Sequence, residues 1–396
     1  MTRTGIKHED EQVSGAFPVL DPVGPAEVRL PDAQALIGTS ITPAAATVDQ
    51  SGVPRSHWDL LARAGLLPVG RPVAQLREIT ELLAGADAST WFCWAQHATP
   101  TNLLAGAEAT SENPNIAALR ERYLPGLQGG TLLAATAFAH VRRLGPPNPV
   151  ALRTSNGWQV RGQLDWVTSW DIADVVQMMV RGQGPDADRY LCFLLPTNEE
   201  IAGLSADPPL RLLAMGGTHT RPVRLDDVHI HQDQVIAVLD ADSWHTQDAQ
   251  RTAHASPAIF GLIRAGIAEL ESIAESSRQP HQVLEILEQA TGDCRELRCD
   301  AYAGIDSGDV TPEGIERALI LRAASLDLAV QVATSVITQR AGAAMRTGCS
   351  AERRLRETMF LQVQAQTAAT RHAMNTRSLQ RLRGMGNTLG TEMVVP

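Results

Sequence analysis

The spacing of apolar residues changes along this 396-residue chain, and the order of those changes limits the fold more than any single motif does. Residues 1–30 are polar and rich in Pro and Gly, and read as a flexible leader. From 31 to 128 the apolar residues recur at helical spacing: residues 58–66 form one amphipathic segment closed by Gly65, and residues 73–84 another. Four to six helices fit there. Between 129 and 240 the period drops to two. Trp158, Val160, Gly162, Leu164 and Trp166 alternate with Gln159, Arg161, Gln163 and Asp165, directly after Asn156 and Gly157, a strong hairpin signal. Further strands are expected at 175–180, 190–195 and 223–230, with no helical stretch between them, so the sheet should be antiparallel. From 241 to 396 helical spacing returns in long runs at 256–275, 282–302, 312–344 and 351–383, lengths that imply a bundle. The expected fold class is α+β and mostly helical: an N-terminal helical domain (31–128), a middle antiparallel β-domain (129–240) and a C-terminal four-helix bundle (241–396).

Composition narrows the function classes. The chain is 44% hydrophobic and 20% charged, with net charge −10, which argues for a folded protein and against nucleic acid as a partner. The first twelve residues have no apolar core, and no stretch approaches the ~18 uncharged apolar residues of a membrane span, so a cytoplasmic protein without a membrane partner is expected. Five Cys at unpatterned positions (93, 192, 294, 299, 349) suit free thiols. Cys294 and Cys299, on one helix, would point about 140° apart and cannot share an ion. His229 and His231 share a strand face but have no third ligand, so no metal site is expected. Neither Gly182-Gln-Gly184 nor the glycines at 384, 386 and 390 have dinucleotide-binding spacing.

Four stretches carry a resemblance. They are Asp-Ala-Ser-Thr-Trp at 87–91, Trp-Val-Thr-Ser at 166–169 followed by Ala173 and Asp174, Val-Arg-Leu-Asp-Asp-Val at 223–228, and Ala-Glu-Arg-Arg-Leu-Arg-Glu at 351–357. In this order, and spread over residues 31–383, they resemble the acyl-CoA dehydrogenase superfamily. The resemblance implies FAD held between the β-domain and the C-terminal bundle, with help from a neighbouring subunit. It implies that Trp166 lies over the flavin ring, that Thr168 donates towards N5 with Ser169 beside it, and that Phe138 and Val141, on the adjacent strand, reach the pyrimidine edge. Arg278 is what remains of the segment that holds the adenine end. Without the resemblance, Trp166 and Thr168 only continue the two faces of a strand, and His140 is an ordinary strand histidine.

Departures from that pattern carry the functional information. The catalytic Glu of most members falls at Ala365, and the stretch 249–254, where some members carry it instead, has no carboxylate. His140 and His254 are the remaining candidates for acid–base work. The phosphate-binding loop is replaced by residues 141–147 with Arg142 and Arg143, and the adenine-pocket Phe is missing, so FMN or a reduced flavin from a partner reductase can replace tightly held FAD. Three readings follow: an oxygen-using monooxygenase on a small organic or acyl substrate, an acyl-CoA dehydrogenase with a displaced base, or a base-less companion subunit of a heteromeric dehydrogenase. Expected partners are a small molecule or acyl thioester, a flavin reductase or related subunit, and further copies in a homodimer or homotetramer. An interface is suggested by Leu355, Met359, Val363, Leu379 and Leu382, edged by seven arginines between 353 and 383.

Overall fold

Asp87 shows how local chemistry sets the N-terminal helices: its carboxylate accepts the backbone N–H groups of Ser89 (3.3 Å) and Thr90 (3.0 Å), starting a helix where the previous one ends. The computed structural model describes residues 30–143, 145–277 and 280–391, with side chains to 383. Among these, α1 (Pro31–Ser40), α2 (Ala45–Ser51), α3 (Arg55–Arg63), α4 (Val73–Ala86), α5 (Ala88–Gln96), α6 (Ala98–Ala105) and α7 (Ile116–Gly129) precede the sheet.

The sheet contains β1 (Ala134–Ala137), β2 (Val150–Thr154), β3 (Gly157–Val167), β4 (Val175–Gly182), β5 (Arg189–Pro196), β6 (Leu204–Ala206), β7 (Arg221–His231) and β8 (Val235–Asp240). Its order is β6-β7-β3-β2-β4-β5-β8, with β1 also on β4. The hairpin at Asn156 and Gly157 forms as expected, pairing β2 with β3. The sheet is mixed, however: β4 runs parallel to β1 at its start and to β2 at its end, because long connections, not hairpins, bring those strands to it. Trp158 is core, 2% exposed beneath Arg153, and so is not available to wall a ligand.

The C-terminal helices are α8 (Ala241–Ala253), α9 (Pro257–Ser276), α10 (His281–Ser307), α11 (Pro312–Arg340), α12 (Ser350–Val363) and α13 (Ala368–Thr391). Ser256 and Thr311 cap α9 and α11, each with Pro at the first helical position. The single helix expected over 351–383 is broken in two between α12 and α13, where Ala365 takes a left-handed backbone conformation, φ +50°. One segment, Pro312–Met345, is in fact long and apolar enough to cross a membrane, contrary to the sequence expectation. In the structure α11 packs against α8, α9, α10, α12 and α13 as the core helix of the bundle.

α4 and α9 cross so closely that a Cβ on Gly261 would run into the backbone carbonyl of Glu81. That approach lets Arg264 of α9 and Arg298 of α10 reach the buried Glu81 carboxylate, both at 2.7 Å. Gly261→Ala is therefore expected to destabilise the chain by about 1–3 kcal/mol, read from the urea midpoint. A loss below half of that range would mean that the two helices can separate without strain.

Candidate functional site

Two neighbouring regions carry the site chemistry. The first is the turn that ends β3. Ser169 (φ +66°), Met215 (φ +63°) and His219 (φ +51°) are all left-handed non-glycine residues, and the Ser169 N–H donates to Thr218 O (2.9 Å) while Trp170 N–H donates to His219 O (3.3 Å). Such backbone costs of order 1 kcal/mol per residue and persists where the surroundings enforce it. Just before this turn Trp166 is 46% exposed, a large flat apolar ring with nothing covering half of it.

Thr168, 6% exposed, lies in a chain of hydroxyls. Its Oγ1 is 3.2 Å from Thr220 Oγ1, which is 2.8 Å from Thr218 Oγ1, and Thr218 donates to Met215 O (2.7 Å). Three protons must serve three bonds, and only one assignment serves them all: Thr218 to Met215, Thr220 to Thr218, Thr168 to Thr220. With that assignment the Thr168 proton points inward and its lone pairs face outward.

The second region is a groove of about 1280 Å³ between the sheet, the loop after β1, α8 and the start of α13. His140, Val141 and Arg142 line it, but not from a strand as expected. β1 stops at Ala137, and Ala139–Arg142 form a 3₁₀ turn that carries Arg142 over to α8. There Arg142 binds Asp248 through two bonds, Nε to Oδ2 at 2.6 Å and Nη2 to Oδ1 at 2.7 Å, and Arg251 also donates to Asp248 at 2.7 Å. Burial alone would raise the Asp248 carboxyl, but the two guanidiniums outweigh it and hold it below the usual carboxylate range. Arg143 is likewise engaged, paired with Asp165. Each arginine of the 141–147 loop is thus engaged by a carboxylate.

Burial pushes the His140 imidazole down to about 4 despite a hydrogen bond to the Met179 backbone, and its buried Nε2 has no partner among the described residues. It is a neutral ring with one nitrogen unengaged. Phe138 does not line the groove; it packs edge-on against Trp244, ring centroids 6.1 Å apart, with Arg142 over its other side. Tyr190 and His245 add a polar pair to the wall, Oη to Nε2 2.9 Å.

The structure separates the two candidate bases. His254 follows the end of α8 instead of lying within it, and lines a different cavity of about 430 Å³ with Asp300, Ser307 and Arg317. Its imidazole is lowered by burial. Arg278 lies outside the described residues. Asp248 was missed in the sequence because the comparison stretch began one residue later, at Ala249, and because its partner Arg142 is 106 positions away.

No family model matches the chain, and no curated protein sequence is similar to it. Solved structures are. A glutaryl-CoA dehydrogenase from Mycobacterium smegmatis in complex with FADH2 superposes with TM-score 0.68 at 16% identity, over 88% of this chain and 95% of that one. An acyl-CoA dehydrogenase from Geobacillus kaustophilus gives TM-score 0.69 at 15% identity, over 88% and 98%. This chain has the acyl-CoA dehydrogenase fold. KijD3, in complex with FMN and dTDP-3-amino-2,3,6-trideoxy-4-keto-3-methyl-D-glucose, shares the fold with TM-score 0.70 at 17% identity, over 90% and 95%.

Of the seven arginines expected to edge an interface, three turn inward, while Arg371, Arg377, Arg381 and Arg383 stay exposed. Arg353 pairs with Glu357 (2.7 Å), Arg354 with Glu269, and Arg356 with Asp49 (2.5 Å) and Glu352 (2.7 Å), tying α12 to α2 and α9. Met359, Val363, Leu379 and Leu382 do remain exposed. Cys294 is buried and Cys299 exposed on opposite sides of α10, and His229 is only half-exposed, edge-on to His231 at 4.4 Å.

Proposed function

We propose that this chain is a flavin-dependent oxidoreductase that takes flavin against Trp166 and a small organic substrate in the groove, and that it works as an oxygen-using monooxygenase. The observation that carries the reading is the state of the carboxylates. The turn that would present a base presents Ala365. Among the described residues lining the groove the sole carboxylate is Asp248, with both oxygens held by guanidiniums. A general base must offer a basic lone pair within reach of the proton it takes; three N–H bonds occupy most of this carboxylate's acceptor sites and two guanidiniums lower its basicity. Asp248 does face the groove from α8, and this favours the displaced-base dehydrogenase as the second reading.

The residues fit a flavin. Trp166 supplies a flat apolar wall, the strained turn fixes its position, and Thr168 supplies an acceptor. When bound, the flavin supplies the redox chemistry with oxygen. This chain's own residues orient and enclose: Arg142 and Asp248 brace the loop after β1 against α8, and the His140 ring, its Nε2 buried and without a partner among the described residues, backs that loop. The KijD3 complex supports flavin chemistry on a non-acyl substrate in this fold. A cytoplasmic setting with a flavin reductase, and assembly of copies through the exposed apolar residues of α12 and α13, complete the proposal.

The orientation of Thr168 gives a test. Reduced flavin has an N–H at N5 and oxidised flavin a lone pair, so a Thr168 that only accepts favours the reduced form. Reduced FMN is expected to bind about tenfold more tightly than oxidised FMN, the worth of one hydrogen bond. Thr220→Val, which returns the Thr168 proton, should collapse that ratio in anaerobic fluorescence titrations. Yellow protein bleached under argon by an acyl-CoA would overturn the monooxygenase in favour of the dehydrogenase.

A further inference from the structure

Arg322 of α11 is 6% exposed and has no carboxylate partner among the described residues. Its two terminal nitrogens donate to backbone carbonyls, one to Thr252 in the last turn of α8 and the other to Gln364 at the end of α12 (2.7 Å), while Nε has no partner. Those carbonyls are the negative ends of two helices and offset part of the charge. Burial, and then the nearby charge of Arg142, lower the Arg322 guanidinium to about 10. Buried cations are ordinarily paired with anions, so this corner of the protein holds positive charge that its own side chains do not balance.

The corner belongs to the groove. Asp248 and Ala249 line it on one side and Thr367 to Ala369 on the other, and Arg322 ties the two walls together from behind through Thr252 and Gln364. Arg142 lines the same end. Asp248 takes its Nε and Nη2, which fixes the guanidinium plane, and Nη1 makes no hydrogen bond among the described residues. A guanidinium locked by a buried carboxylate, with donors to spare and a second cation behind it, is preorganised for an oxyanion. Arg251 also draws on Asp248, so the carboxylate is shared by two cations before Arg322 is counted.

We propose that this end of the groove binds an oxyanionic group of the ligand, a carboxylate or a phosphate, on the outer edge of Arg142, with Arg322 contributing through its charge. The inference rests on the groove being the ligand site, as proposed above, and it adds that the substrate carries an anion at the α8–α13 end.

The test uses the full chain without flavin, with inorganic phosphate and acetate as probes, and follows arginine modification by phenylglyoxal with peptide mass spectrometry. One or both anions should slow modification of Arg142 at least fivefold in a saturable way, while the exposed Arg122 reacts as before. Protection by phosphate alone assigns a phosphate group, and protection by acetate alone a carboxylate. In Arg322→Gln the protecting concentration should rise about tenfold. If Arg142 reacts equally fast with and without both anions, the site does not exist. An unchanged protecting concentration in Arg322→Gln removes the buried charge from the account. Flavin titration at Trp166 is independent of this assay, so failure here leaves the flavin reading standing, and failure there leaves the anion site standing.

Discussion

Glu81→Ala is expected to destabilise the protein by about 3–5 kcal/mol, the usual consequence of removing one partner from a buried, packed ion pair. Glu81 is fully buried, and its carboxylate accepts from Arg264 (2.7 Å), Arg298 (2.7 Å) and Tyr302 (2.5 Å). Burial pushes the carboxyl up to about 7 against the pull of Arg264, so the ion pair persists only while both guanidiniums stay in place. Ala removes the carboxylate and its volume, so Arg264 and Arg298 lose a buried partner while keeping Glu78. Because α4 lies in the N-terminal part of the chain and α9 and α10 in the C-terminal part, the loss should appear as a lower denaturant midpoint for the whole protein. A change under 1 kcal/mol would show that the helices are held by apolar packing alone.

Stability should also fall as pH drops from about 6.5 to 4, through His97 and His140. At His97 the Ala134 N–H donates to Nδ1 (3.1 Å) and Nε2 donates to Leu127 O (2.9 Å), an arrangement that requires the neutral ring. Burial pushes both imidazoles down to about 4. The unfolded chain then takes up protons first, near pH 6.5, so the stabilisation is fully present above that pH and disappears as pH approaches 4. A displacement of this size is worth up to about 3 kcal/mol per ring. Glu81 acts in the opposite direction, since its raised carboxyl takes up a proton in the folded state first and adds stability as pH falls from about 7. Comparing the pH slope of wild type with that of His97→Gln isolates one ring, and the variant's slope should be shallower by about 2–3 kcal/mol across the window. Histidine NMR provides the direct check: either ring gaining a proton near pH 6 contradicts the assignment.

Much of the fold was legible because element type depends on near neighbours. Apolar spacing of two along residues 158–166 gave a strand, and helical spacing along 73–84 gave a helix, both settled within a few residues. The break between α12 and α13 was not legible, because helical spacing continues through it. What fixes that turn includes Arg322, which binds Gln364 O from another helix. The sheet direction was partly misread for a similar reason: β1 and β2 reach β4 through connections whose paths no local pattern encodes.

The candidate site divides in the same way. An Ala at 365, and a Trp two residues before a Thr at the end of β3, are facts of sequence alone. Three features needed the fold: that Arg142 meets Asp248, that His254 faces a different cavity from His140, and that the Thr168 hydroxyl joins those of Thr220 and Thr218. The sequence by itself determined the type and order of most elements. The tertiary structure decided which charges meet and which remain unbalanced, because ion pairing falls off with distance and depends on burial, and both are set by segments far apart in the chain.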